Sequence, residues 1–91
     1  MAERTIDEAR IVAEFCELSI ALGVAAGSAW AGNQPKVYDI LRMIFDGIKA
    51  ALIKIGVSDA GIGEVHEAFV LGHQQGETDA LVRHHTPEPR A

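Results

Sequence analysis

The chain has 91 residues and a mass of 9.8 kDa, enough for one domain and too little for a multidomain enzyme. Apolar residues make up 48% of it and charged residues 23%, a globular balance that excludes disordered, collagen-like and other low-complexity classes. Eight Lys and Arg against 13 Asp and Glu leave a net charge of −5, which repels phosphate backbones, so no nucleic acid is expected as a direct ligand.

That charge is unevenly placed. Residues 1–34 carry −3, residues 35–57 carry +2 and residues 58–91 carry −4. A basic middle between acidic flanks suits antiparallel neighbours, although exposed ion pairs contribute only about 0–1 kcal/mol each. Cys16 is the one cysteine, so no intrachain disulfide forms and a reducing compartment is expected. On an apolar helix face it reads as a buried small hydrophobe in preference to a reactive thiol. The start, Met1-Ala2-Glu3-Arg4-Thr5-Ile6, lacks the basic opening and apolar run of a secretory signal, and the expected location is the cytoplasm.

Thr5 followed by Glu8 has the spacing of a capping box, which predicts a helix from about residue 6. Ile11, Phe15, Leu18, Leu22, Ala25 and Ala29 then recur at spacings of four and three, the mark of one helix face, until Gly32-Asn33-Gln34-Pro35 ends it. No residue from Leu18 to Pro35 is charged. The apolar part stops at Ala31 and is diluted by Ser19, Gly23, Gly27 and Ser28. It therefore falls short of the roughly 20 strongly apolar residues of a spanning helix, and no membrane is expected.

Pro35 suits the first turn of a second helix, with Gln34 as its cap. Val37, Ile40, Leu41, Ile44, Phe45, Ile48, Leu52 and Ile55 follow the i, i+3, i+4, i+7 pattern of a single buried face. Gly56 can supply the left-handed residue that stops it. Ser58 is a good third cap, and Val57 can pack on Ile62 across the turn. The third helix runs to about Arg83, weakened by Gly61, Gly63, Gly72 and Gly76, which leave a late start near Gly63 open. The expected fold is an all-α antiparallel bundle of three helices, about 6–31, 35–55 and 59–83, completed by dimerisation. Residues 84–91, with two prolines and nothing to bury, are expected to be a disordered tail.

Two features point to a surface that needs covering. Asp7, Arg10, Glu14 and Glu17 lie on one line of helix 1, and the same line continues through Ala21, Val24 and Ser28, so polarity is lost halfway along. Ser19, Gly23, Gly27 and Ala31 form a small-residue stripe, and Gly72, Gly76 and Ala80 form another on helix 3. Such stripes let backbones approach closely, either within the protomer or across a two-fold axis. A chain this short has little core of its own, which favours the homodimer. Trp30 and Tyr38 flank the first turn as interface aromatics. The expected interface set is Ser19, Ala21, Gly23, Val24, Gly27, Ser28, Trp30, Ala31, Tyr38, Gly72 and Gly76.

No phosphate loop, nucleophile elbow or HExxH motif is present in the sequence, and no enzyme activity or cofactor is expected. His66, His73 and Glu77 share a helix face and are metal candidates only if a convergent further ligand comes from elsewhere. The plainer reading is a polar face on which His73 pairs with Glu77. The leading functional expectation is a small interaction protein that masks or disrupts a partner's interface, such as that of a transcription factor. The runner-up is a binder of a small apolar ligand or metal, held between helices 1 and 3 with His66 or His73 orienting it.

Overall fold

Helices account for nearly all of residues 7–85, the part that the computed structural model describes: α1 (Glu8–Ala31), α2 (Pro35–Lys54) and α3 (Asp59–His85). The all-α three-helix fold expected from the periodicities is the one found. Asp7 caps α1, its carboxylate accepting the Arg10 N–H at 3.3 Å. Thr5 lies outside the described residues. Glu8, expected to close a capping box with it, is engaged elsewhere: its carboxylate accepts the Ser58 N–H at 3.1 Å and the Ser58 hydroxyl. The Ser58 oxygen in turn accepts the Gly61 N–H at 3.2 Å, so Ser58 caps α3 as its residue type predicts.

Both turns close by the same hydrogen-bond pair, which occupies the last free carbonyls of a helix. After α1, the Asn33 N–H donates to the Trp30 carbonyl and the Gln34 N–H to that of Ala29. Asn33, with φ of 58°, takes the left-handed position that glycine usually fills. After α2, the Gly56 N–H donates to Ile53 and the Val57 N–H to Leu52, with Gly56 at φ 100°. Pro35 opens α2, and its cap residue Gln34 makes no side-chain cap bond. α3 runs through its glycines without a late start and continues two residues past Arg83, to His85. Of the expected tail, residues 86–91 lie outside the described residues.

Tight turns make each consecutive pair antiparallel, so α1 and α3 run parallel, and these two form the main interface. Gly23 faces the Phe69 carbonyl and His73 amide, and Gly27 faces the His73 carbonyl and Glu77 amide. Gly72 meets the Ile20 carbonyl and Gly76 that of Val24. Each of the four would need its partner backbone to move if it carried a Cβ. The small-residue stripes therefore meet each other within the protomer. Against this pair α2 lays Phe45 and Leu52, which join Val12, Ala26, Val57, Val65 and Phe69 in the core. Ile62 and Cys16 pack against it, and burial with nearby Glu64 pushes the Cys16 thiol above its ordinary range, in keeping with an inert side chain.

The Glu8–Ser58 clasp ties the start of α1 to the start of α3. The Ser58 hydroxyl and amide hold the Glu8 carboxyl below its ordinary value of 4.5. A lowered folded value means that the stabilisation is fully present above pH 4.5 and is lost as the pH falls through the lower folded value. The expected result is that Glu8→Gln melts earlier than the parent at neutral pH, and that the two converge in acid. A difference that persists unchanged in acid would show that the charge is not what the clasp uses.

Candidate functional site

The seven apolar positions of α2 and its C-cap Ile55 occupy a sector of roughly 140° at 100° per residue, wider than one neighbouring helix pair covers. Because α1 and α3 are already joined backbone to backbone, they meet only one half of that sector. Phe45 and Leu52 are buried and Leu41 and Ile48 half-buried. Val37, Ile40, Ile44 and Ile55, expected on the same buried face, are 45%, 55%, 46% and 51% exposed, with Met43 beside them at 65%. The single buried face is thus split lengthwise, and its outer half is an uncovered apolar stripe along α2. On α1, Leu18, Ala21 and Ala25 repeat at three and four and are also exposed.

This distribution redraws the expected interface set. Ser19, Gly23, Gly27, Gly72 and Gly76 are buried, and the four glycines are occupied by the α1–α3 contact, which leaves them no surface for a second chain. The Ser19 hydroxyl is buried without a hydrogen-bond partner among the described residues. Val24, Ser28, Ala31 and Tyr38 are half-buried, whereas Ala21 and Trp30 are exposed. Trp30 leans on Tyr38 with ring centroids 5.0 Å apart, so the two aromatics form one unit at the turn. The α2 residues Val37, Ile40, Met43 and Ile44 were not in that set. The signal that could have found them is the width of the apolar sector.

The glycine-lined space between α1 and α3 expected for a small ligand is closed at Gly23, Gly27, Gly72 and Gly76, and the cleft of about 360 Å³ that these helices do form, between Glu8, Val12, Gly61 and Glu64, is lined by neither His66 nor His73. The two histidines line a different cleft, of about 340 Å³, between α2 and α3. Phe45 and Phe69 stack beneath it, with centroids 4.1 Å apart and planes 12° from parallel. His73 Nδ1 lies 3.8 Å from a Glu77 carboxylate oxygen and edge-on to Tyr38 at 5.7 Å. His66 Nδ1 is 3.2 Å from Lys49 Nζ, and that ammonium sits 5.1 Å above the Phe45 ring. His66, His73 and Glu77 do not converge, and among the described residues no three His, Cys, Asp or Glu side chains gather as a metal site.

By length and composition alone α1 could cross a membrane, with 28% of its most apolar window buried in the protein. The face that α1 uses most closely is taken by α3. No protein family, curated protein or solved structure matches this chain.

Proposed function

We propose that this chain is a small protein-interaction module that works by covering the outer stripe of α2 against protein, first a second copy of itself. In this reading it is a cytoplasmic regulator that masks or disrupts the oligomer interface of a partner, for example a transcription factor. The observation that carries it is the stripe: Val37, Ile40, Ile44 and Ile55 on one line, each about half exposed. Contiguous apolar patches of this kind mark contact surfaces. Amphipathic helices are commonly recognised through such i, i+3, i+7 anchors. A two-fold pairing is the commonest way to cover one.

Sedimentation and light scattering at micromolar concentration test the pairing. The parent is expected to run as a dimer and Ile40→Glu/Ile44→Glu as a folded monomer, since two charges cannot be buried in an apolar seam without partners. Affinity capture from native lysate with both proteins then tests the regulatory half. A parent that is monomeric and captures nothing at stoichiometric level would sink the proposal. Recovery only after detergent extraction would move the reading to the membrane.

A further inference from the structure

We propose that the cleft between α2 and α3 is a binding site for a small organic anion with an apolar body, held by Arg42, which lines it, with Lys49 beside its rim. This site is independent of the outer stripe, since by helical spacing Tyr38, Arg42, Phe45 and Lys49 follow a different line of α2 from Val37, Ile40 and Ile44. Its volume of about 340 Å³ falls in the range of small-ligand sites, roughly 300–1,000 Å³.

The chemistry follows from charge left unmatched in an acidic protein. The basic segment of the chain places Arg42 and Lys49 two turns apart on α2, both toward α3. Among the described residues the ion pairs are Arg10–Glu14 and His73–Glu77, so neither Arg42 nor Lys49 has a bonded carboxylate. Arg42 donates to the Tyr38 hydroxyl at 3.3 Å, which fixes the guanidinium at the cleft and raises its basicity, with Asp46 a weaker contributor through space. Lys49 rests against His66 and the Phe45 ring.

Across the cleft, the one lining carboxylate, Glu77, is next to His73. Val70, 38% exposed, supplies the apolar wall. A carboxylate or similar group matches the fork of Arg42, and the rest of the molecule would lie against Val70 and Tyr38. A cationic ligand would meet Arg42 and Lys49, neither of them ion-paired among the described residues.

The test uses the full chain and two probes with the same rings, 2-naphthoate and the uncharged 2-naphthalenemethanol, followed by amide and histidine-ring NMR signals. Naphthoate is expected to shift His66, Val70 and His73 and to bind at least about tenfold more tightly than the alcohol, the effect of about 1.4 kcal/mol. Arg42→Gln/Lys49→Gln should abolish that preference, and Arg42→Lys should retain part of it. Thermal unfolding of each variant separates lost binding from lost fold. Equal affinity for the two probes, a preference that survives the double substitution in a folded protein, or shifts confined to Ile40 and Ile44 would overturn the assignment.

Discussion

Gly27→Ala is expected to destabilise the protein by about 1–2 kcal/mol, against the usual sign for such a change. In a helix interior alanine is favoured over glycine by about 0.8–1.0 kcal/mol. At Gly27, however, a Cβ would overlap the His73 carbonyl, with the Glu77 amide at 2.9 Å. These are backbone atoms of a packed helix and cannot rotate away. Forcing extra volume into such a contact costs about 1–3 kcal/mol, and separating the helices here also loosens Gly23, Gly72 and Gly76. The control lies in the same fold: Gly63 and Gly47 have nothing within 4 Å of a Cβ, so alanine at either should stabilise by about 0.5–1 kcal/mol. Denaturant midpoints at unchanged slope measure both. A stabilising Gly27→Ala would show that the α1–α3 seam is looser than its geometry.

A larger loss is expected at Phe45. It is 1% exposed, stacked on Phe69 and placed where α2 meets both other helices. Truncation of a buried Phe to Ala costs about 3–5 kcal/mol, and whole domains are stable by only about 5–15 kcal/mol, short ones toward the lower end. Phe45→Ala should therefore bring the chain close to its unfolding midpoint at physiological temperature. Phe45→Leu keeps most of the burial and forgoes mainly the ring pairing, worth about 0.5–1.5 kcal/mol. The adjacent Ile44→Ala, on the uncovered stripe, should change monomer stability by no more than about 0.5 kcal/mol. Circular-dichroism melts of the three variants, at concentrations low enough to keep the chain monomeric, would order these effects, and an Ile44 effect as large as that of Phe45 under those conditions would place the stripe inside the core.

The elements were legible because their signals are local. Pro35, Gly56 and Ser58 act within one turn of the chain, and the apolar periods of α1 and α2 need no partner to be read. Glu8 was misread for the opposite reason: its spacing from Thr5 fits a capping box, yet Ser58, 50 positions away in the chain, offers two donors at once. The glycine stripes were legible as close-packing lines, but which lines meet is a question of tertiary register. Their parallel match within one chain answers it and closes the glycine-lined space expected for a ligand. The cleft was illegible because Arg42 and Lys49 come from one helix and His66 and His73 from another. Only the α2–α3 packing brings them into one place.

The Glu8–Ser58 clasp also bears on how the chain reaches its structure. Helical bundles ordinarily fold fast because their contacts are near in sequence. Here the principal interface joins the first helix to the last, across 50 residues at the clasp, so α1 and α2 alone have no glycine seam to close against. A chain still being synthesised is expected to have no stable half-product until most of α3 has emerged, with closure of that loop setting the folding rate. Folding of this protein should be all-or-none and slower than its helical content suggests.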